Sequence, residues 1–273
     1  MRCETCGVFF LNPMPTIEYL NTAYPQDYYA YAAPVASSRN SREKQLRQLI
    51  RRALCFTSGW TGDPRFEKPG NMLDIGCGAG HFLMEMREKG WTVQGVEPDA
   101  TAAARGSLAG LAISAGTLHD AKFPPESFDY VRSNHSFEHI HNPRAVLREI
   151  RRIIRPDGRL FLGVPNVAGL MPRVWGTYWW YLGAPVHTFG YTPSSLGRLL
   201  SEERFEVEEV KYNSTFAGII GSLQIWVNRN NGKLSEEGWI VKSLPLRLVA
   251  HWLARITDLF HVGDCMEVIA RPR

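Results

Sequence analysis

The middle of the chain alternates between short apolar runs and stretches in which hydrophobic residues recur at helical spacing. Met72–Ile75 is apolar apart from Asp74, and the stretch after it places Phe82, Leu83 and Met86 on one face of a helix. The same alternation continues, and further strands are predicted at residues 91–97, 111–114, 128–131, 159–166, 205–212 and 266–270. Strands that alternate with helices predict an α/β fold, with a parallel sheet between two layers of helices.

Proline, glycine and capping residues mark the predicted helix boundaries. Pro98-Asp99 begins a helix that runs to about Ser107, and Thr192-Pro193 begins another. The helix that begins at Pro143 is expected to end at Pro156-Asp157-Gly158, because proline and glycine interrupt helices.

Several stretches lie outside this alternating core, and one of them, residues 167–191, is rich in aromatic residues. Residues 39–56 are predicted to form an amphipathic helix, and residues 57–70 a linker rich in glycine and proline. Residues 213–262 carry hydrophobic residues at helical spacing with basic residues between them. This pattern favours a helical cap packed on its own domain over a helix that lies on a membrane surface. The predicted organisation is an N-terminal extension (1–68), an α/β core (69–212), a helical insertion (213–262) and a last core strand (263–273).

Composition narrows the class of protein without identifying it. The 273 residues are 44% hydrophobic and 21% charged, so the chain can bury a large core. A net charge of +4 is too small to argue for a nucleic-acid partner, and no apolar run reaches the roughly 18 residues of a membrane-spanning helix. The five scattered cysteines and the absence of a secretory signal favour the cytoplasm. Monomer and homodimer are both left open.

The first predicted strand runs into the sequence Gly76-Cys77-Gly78-Ala79-Gly80. Glycines at alternate positions let a backbone turn sharply and approach a ligand closely, and the helix that follows presents N–H groups. The next strand ends at Glu97, which is well placed to accept hydrogen bonds from two ribose hydroxyls. His81 replaces the third glycine of the dinucleotide-binding pattern and Asp74 would repel a pyrophosphate, so a nicotinamide site is disfavoured. A purely structural glycine turn is the remaining alternative.

An acidic residue followed by G-x-G-x-G, with a second acid at the end of the next strand, resembles the signature of the class I S-adenosylmethionine (SAM) methyltransferases. The resemblance implies SAM as the cofactor, with the glycine turn at its methionine part, Glu97 at its ribose, and Thr117 and Leu118 beside its adenine. The cofactor-binding residues expected on this basis are Asp74, Gly76, Cys77, Gly78, Gly80, Glu97, Thr117, Leu118 and Asn134.

The stretch from Phe128 to Asn166 is similar to the Methyltransferase-23 and ubiquinone O-methyltransferase-like group. The similarity rests on Phe128-Asp129, on Glu138-His139, on R-P-D-G at 155–158 and on V-P-N at 164–166. It implies a doubly wound, seven-stranded, Rossmann-like sheet whose last strand inserts antiparallel. It also implies methyl transfer to a small-molecule acceptor, with a hydroxyl as the expected acceptor group. The alternatives are transfer to carbon or nitrogen of a sugar or secondary metabolite, and a SAM-fold protein that binds without catalysis.

Transfer to a hydroxyl requires a group that takes its proton, and histidine is the usual base near neutral pH. His187 resembles a family histidine on the acceptor side and follows an aromatic-rich stretch, so it is the first candidate. His135 and His139, which follow the fourth strand, are the other candidates. With His141 they form H-x-x-x-H-x-H, a spacing that also suggests a metal site. Spacing cannot show the further ligand or the oriented partners that a metal needs, so no metal is predicted.

Cys3 and Cys6 form a C-x-x-C-G sequence at the start of the chain. The sequence resembles one knuckle of the zinc ribbon that precedes some methyltransferases. Tetrahedral zinc needs four ligands and a single pair supplies two, so two reduced thiols are expected here. Zinc binding by a longer or dimeric form is left open.

Overall fold

A computed structural model describes residues 1–16, 19, 20, 32, 62, 64, 66, 68–229 and 237–273 of the chain. The helix predicted at 39–56 and most of the linker predicted at 57–70 lie outside the described residues.

Each strand predicted for the core has a counterpart in the structure. The strands are β1 (Phe9–Phe10), β2 (Asn71–Ile75), β3 (Thr92–Glu97), β4 (Ala112–Ala115), β5 (Phe128–Asn134), β6 (Ile154–Pro165), β7 (Phe189–Gly190), β8 (Phe205–Tyr212) and β9 (Cys265–Pro272). The α-helices are α1 (His81–Glu88), α2 (Ala100–Leu108), α3 (Pro143–Ile153), α4 (Leu170–Trp175), α5 (Pro193–Glu202), α6 (Ser222–Asn228), α7 (Trp239–Lys242) and α8 (Leu244–Leu259).

Seven of the strands form one sheet in the order β4-β3-β2-β5-β6-β9-β8. The pairs from β4 to β6 are parallel, whereas β9 lies antiparallel between β6 and β8. The predicted doubly wound, mostly parallel, seven-stranded sheet with an antiparallel last strand is therefore confirmed. The chain runs outward from β2 to β4 and then returns to β5, so the carboxyl ends of β2 and β5 meet at a topological switch point, where ligands bind in such sheets.

The boundary between α3 and β6 differs from the prediction. α3 ends at Ile153 and β6 begins at Ile154, before the Pro156-Asp157-Gly158 sequence that was expected to stop the helix. Arg155 precedes a proline, and the proline ring disfavours helical backbone in the residue before it. The three residues therefore belong to the start of the strand, where the register against β5 is irregular.

Hydrophobic side chains cover both faces of the sheet. Leu147 of α3 and Leu196 of α5 belong to the same buried cluster as Leu73 of β2. Leu83 of α1 belongs to a second buried cluster with Met72. Met72 and Leu73 are consecutive, and side chains of a strand alternate between its two faces. The two clusters therefore confirm helices on both sides of the sheet.

The first residues of the chain hold the segment that carries His187. β1 pairs antiparallel with β7, and the N–H of Leu11 donates to the carbonyl of Thr188 at 3.1 Å. Cys3 and Cys6 are free thiols beside this pair of strands. In the described part of the chain, no third histidine, cysteine or acid forms a metal cluster with them.

Residues 213–262 contain α6, α7, α8 and a π-helical turn at Ala217–Gly221. α8 buries Ala250 in a cluster with Ile220 and Ile240, which belong to the same segment. Its other face is apolar and open, with Val249 58% and Leu259 78% exposed. No helix among the described residues combines the length and the hydrophobicity needed to cross a bilayer.

Candidate active site

The glycine turn between β2 and α1 lies at the carboxyl edge of the sheet. Gly76, Gly78 and Gly80 have φ values of 72°, 55° and 86°, a left-handed region that residues with a Cβ rarely adopt. A Cβ on Gly76 would overlap the side chain of Ser136, so the turn packs directly against the loop that follows β5. The N–H of Gly76 also donates to the carbonyl of Val96 at 2.8 Å, which fixes the turn to the end of β3.

Glu97 ends β3 beside this turn. Its carboxylate accepts hydrogen bonds from the N–H of Gly78 at 2.7 Å and from the N–H of Asp99 at 2.9 Å. Burial raises the pKa of Glu97, and these two backbone bonds oppose the shift. Each carboxylate oxygen has a second acceptor direction, so Glu97 can hold the turn in place and still accept hydroxyl groups of a ligand.

Asp74 lies where the sequence predicts it, but its carboxylate faces another side chain. It is 1% exposed, and both of its oxygens lie 2.9 Å from Nη1 of Arg132, which donates to them. The guanidinium of Arg132 stacks on Phe82, 3.8 Å from the centre of the ring. Arg132 therefore offsets the negative charge of Asp74, and the contact between Asp74 and a ligand stays a prediction.

Arg132 is a residue of the candidate active site that was not predicted from the sequence. Asp74 and Arg132 occupy partner positions in the register of β2 and β5. A charged residue inside each of two mainly buried strands is a signal for the pair, but only the strand order shows that the strands are neighbours.

The other expected cofactor residues lie at the ends of neighbouring strands. Burial, followed by the charges of nearby carboxylates, raises the pKa of the Cys77 thiol, which therefore stays protonated. The N–H and hydroxyl of Thr117 both donate to Oδ2 of Asp120, at 2.8 and 2.6 Å. Leu118 is buried and Asn134 is half-buried. Contact of these residues with a cofactor stays a prediction.

The three candidate catalytic histidines meet around one buried carboxylate. Glu138 is 1% exposed and lies in a 3₁₀ turn directly after β5. Its Oε1 is 3.6 Å from Nδ1 of His135 and 3.9 Å from Nε2 of His187. The ring of His139 meets that of His187 edge-on, with the ring centres 4.7 Å apart. His135, Glu138 and His139 come from the loop that also carries Ser136, so this histidine–glutamate centre adjoins the glycine turn.

Backbone carbonyls orient two of the rings. Nδ1 of His139 bonds to the carbonyl of Val186 at 2.9 Å, and Nδ1 of His187 bonds to the carbonyl of Tyr181 at 2.9 Å. A carbonyl oxygen only accepts hydrogen bonds, so Nδ1 carries the proton in each ring and the lone pair of the neutral ring lies on Nε2. For His187 this is the nitrogen that faces Glu138.

The centre combines an ionised carboxylate with a neutral imidazole. Burial alone would raise the pKa of Glu138, but the ring of His135 and the charges of all three histidines lower it to about 2. Burial lowers the pKa of His187 to about 4, although the carboxylate of Glu138 pulls it upward. Among the described residues, neither carboxylate oxygen of Glu138 has a hydrogen-bond partner, because the approach of His135 at 3.6 Å is too long.

Three residues of the loop after β5 differ in how the sequence placed them. His141 lies outside the centre, since its Nε2 bonds to the carbonyl of Pro15 at 3.0 Å. Glu138 entered the sequence analysis only as part of a family mark, and its burial beside the histidines was not foreseen. His135 has a φ of 50° and stacks on Tyr181 at 5.9 Å, so the predicted aromatic stretch reaches the centre.

Comparison with known sequences identifies the family. A family model described as a methyltransferase domain matches residues 39–210. Ajmaline N-methyltransferase from Rauvolfia serpentina is 31% identical over 137 residues, which are 46% of this chain and 46% of that protein. Ubiquinone biosynthesis O-methyltransferase from Pseudomonas aeruginosa is 31% identical over 102 residues, which are 35% of this chain and 44% of that protein. The chain therefore spans less than half the length of these curated relatives.

Solved structures share the fold at low sequence identity. A SAM-dependent methyltransferase from Archaeoglobus fulgidus has a TM-score of 0.51 and 18% identity, over 85% of this chain and 95% of that chain. Phosphoethanolamine N-methyltransferase 2 from Haemonchus contortus, in complex with SAM, has a TM-score of 0.51 and 18% identity, over 85% of this chain and 53% of that chain. Because the family model spans more than half of the chain and the fold agrees with it, the chain belongs to the methyltransferase-domain family.

Proposed function

We propose that the protein is a SAM-dependent methyltransferase that transfers a methyl group to a hydroxyl of a small molecule. The observation that carries the proposal is the carboxylate of Glu97, which the N–H groups of Gly78 and Asp99 hold beside the glycine turn. A carboxylate in this position suits the two neighbouring hydroxyls of a ribose. The Haemonchus contortus methyltransferase of the same fold, solved with SAM, supports the same methyl donor here.

The residues at the turn fit SAM. The first turn of α1 has no side-chain cap on its N–H groups, which leaves donors for the carboxylate of the methionine part. The turn itself carries no side chain at Gly76, Gly78 or Gly80, so backbone and ligand can approach closely. When bound, SAM supplies a methyl carbon that its sulfonium already activates.

The acceptor hydroxyl must lose its proton as its oxygen bonds to the methyl carbon. The histidine–glutamate centre supports this step because a carboxylate and an imidazole lone pair converge beside the loop that touches the glycine turn. His187 is the first candidate for contact with the acceptor hydroxyl, and His135 and His139 are the others. The buried charge of Glu138 stabilises any positive charge that develops in the centre.

The cytoplasm is the proposed location, with a small molecule and no nucleic acid as the partner. The described cysteines, Cys3, Cys6, Cys77 and Cys265, are all unpaired, which fits a reducing compartment. The division into extension, core, helical insertion and last strand belongs to the same proposal.

Calorimetric titration of the full chain tests the choice of cofactor. S-adenosylhomocysteine should bind and NAD should not. A ligand at a hundredfold excess over its Kd stabilises the folded state by about 2.7 kcal/mol, so unfolding curves give a second readout. Binding of NAD without binding of S-adenosylhomocysteine would contradict the proposal.

His187→Ala tests the acceptor side, with an acceptor found by a thermal-shift screen in the presence of S-adenosylhomocysteine. A group that takes part in proton removal contributes about 10²–10⁴-fold in rate, and one that only orients the acceptor contributes about tenfold. Turnover should fall by at least that smaller factor, while S-adenosylhomocysteine affinity and unfolding stay close to those of the unsubstituted chain. His141→Ala is the matched control, because His141 lies on the same loop but outside the centre. Full turnover by His187→Ala would remove His187 from the reaction.

A further inference from the structure

The histidine–glutamate centre has the donor atoms, the orientation and the charge of a metal site. We propose that Glu138, His139 and His187 bind one divalent metal ion of the zinc type, with His135 as a neighbouring fourth donor. The inference deepens the proposed function: the catalytic role of the ion rests on that function, whereas its binding does not.

The distances are those of a site that needs only small side-chain adjustments. One donor atom each from Glu138, His139 and His187 can be chosen so that all three lie within 4.8 Å of one another. Nitrogen and oxygen donors bind zinc at about 2.0–2.2 Å, so tetrahedral neighbours lie roughly 3.4 Å apart. Side-chain ends therefore have to move by roughly an ångström, within the range of rotations about χ angles.

The rings are oriented as metal-binding histidines are. In both His139 and His187, a backbone carbonyl accepts from Nδ1, which fixes the ring and leaves the lone pair of the neutral tautomer on Nε2. Histidines that bind metals donate their other ring N–H to a carbonyl or carboxylate in the same way. The two carbonyls, of Val186 and Tyr181, come from the segment that β1 and β7 hold in place.

The charge of the centre calls for a cation. Nε2 of His187 and Oε1 of Glu138 face each other at 3.9 Å, and in the neutral ring both atoms carry lone pairs. Neither oxygen of Glu138 has a hydrogen-bond partner among the described residues, although the side chain is almost fully buried. A buried carboxylate is stable only when it is hydrogen-bonded, paired or bound to a metal. His135 and His187, at 3.6 and 3.9 Å, are too far away for hydrogen bonds, but an ion between Glu138 and the histidines would satisfy the buried carboxylate.

Two imidazoles and a carboxylate favour zinc over magnesium or calcium, which prefer oxygen donors. Such an ion would lie beside the loop that contacts the glycine turn, where the acceptor must meet the methyl group. A metal ion lowers the pKa of an oxygen bound to it, as it does for bound water. The acceptor hydroxyl would then bind to the ion and pass its proton to a solvent water, so that His187 would hold the ion instead of taking the proton itself.

Zinc binding to the full chain tests the inference directly. The protein is dialysed against a chelator and titrated with Zn²⁺ in competition with a chromophoric chelator, and Co²⁺ absorption reports the ligand type. A Cys3→Ser, Cys6→Ser variant removes the two thiols of the C-x-x-C-G sequence, which could also bind zinc. In this background we expect one zinc per chain and cobalt spectra without thiolate charge-transfer absorption. His187→Ala and Glu138→Gln should each weaken zinc binding by at least about tenfold, and His141→Ala should leave it unchanged.

Circular dichroism and urea unfolding show whether each variant is folded. If Glu138→Gln does not fold, the zinc affinity of His187→Ala decides the question, because His187 is less buried than Glu138. Zinc affinity that is equal in His187→Ala and in the unsubstituted chain overturns the inference, as does zinc binding that vanishes with Cys3 and Cys6. S-adenosylhomocysteine is titrated into the same samples. Cofactor binding without zinc binding refutes only the metal site, and zinc binding without cofactor binding refutes only the proposed function.

Discussion

Replacing Glu97 by alanine removes a group with two separable roles. The carboxylate fastens the glycine turn through Gly78 and Asp99, and we propose that it also accepts the ribose hydroxyls of the cofactor. A hydrogen bond to a charged group contributes about 1.5–3 kcal/mol. Loss of two such bonds to a ribose corresponds to about 3–6 kcal/mol, or a rise of about 10²–10⁴-fold in Kd. Loss of the two backbone bonds lowers the free energy of unfolding by a similar or smaller amount, because water can replace the carboxylate.

A ligand without ribose hydroxyls separates the two roles. Calorimetry compares S-adenosylhomocysteine with its 2′,3′-dideoxy analogue, on the unsubstituted chain and on Glu97→Ala. If Glu97 binds the ribose, the unsubstituted chain prefers the hydroxylated ligand and Glu97→Ala loses most of that preference, which gives a coupling energy in a double-mutant cycle. If Glu97 only fastens the turn, both ligands weaken equally and the ribose assignment is refuted. Glu85→Ala on the surface of α1, where Glu85 pairs with Lys89, is the control and should change neither Kd.

Three further predictions concern stability and are measured by urea unfolding. Gly76→Ala should lower the free energy of unfolding by about 2–5 kcal/mol, because the new Cβ stands on a left-handed backbone and overlaps the side chain of Ser136. Gly197→Ala is the control and should not lower it, because a Cβ there meets no atom within 4 Å. Equal unfolding curves for the two variants would show that the turn is looser than described. Arg132→Met should lower the free energy of unfolding by about 3–5 kcal/mol, because it leaves the Asp74 carboxylate buried without its partner. Adding Asp74→Asn to this variant should restore much of the lost stability. A double variant that is no more stable than Arg132→Met would argue against the pair. Burial raises the pKa of Asp264 from 3.8 to about 6, so the folded carboxyl keeps its proton between these values while the unfolded one loses it, and the stability that Asp264 contributes falls as pH rises through this window. Asp264→Asn should therefore gain up to about 3 kcal/mol relative to the unsubstituted chain between pH 4 and pH 7, and a pH-independent difference would contradict the shift.

The sheet and the position of Glu97 beside the glycine turn could be predicted because their signals are local. An apolar strand that enters Gly76-Cys77-Gly78-Ala79-Gly80 defines a turn and a helix start within a few residues, and Glu97 follows at the next strand end. The strand β8 was predicted at its observed bounds, since turn residues flank it on both sides. The predicted start of β6 was wrong. Residues just before Pro156 can adopt either helical or extended backbone, and pairing with β5 stabilises the extended form.

The acceptor side could be predicted only in part, because its groups meet through long-range contacts. His187 and Glu138 are far apart in sequence, and nothing local shows that their side chains meet. The contact depends on Thr188, whose hydroxyl donates to the carbonyl of Glu138 at 3.1 Å, and on the pairing of β1 with β7. His141 follows the same histidine spacing as its neighbours, but the carbonyl of Pro15 draws it to the other side of the loop. The sequence therefore named the three histidines that meet here, whose roles stay predictions, but it could not name the carboxylate that lies between them.

The position of β9 also determines when the domain can finish folding during synthesis. Cys265–Pro272 lies between β6 and β8, although it is made after all of the other strands of the sheet. Until these residues have left the ribosome, β6 and β8 each present an unpaired edge, and the apolar residues of β6 lack a neighbour. Open edges of this kind favour pairing with other chains, so a nascent or prematurely terminated chain needs protection from aggregation over this interval. Insertion of β9 between β6 and β8 is thus the step that completes the sheet and covers the strand edges to which chaperones would otherwise bind.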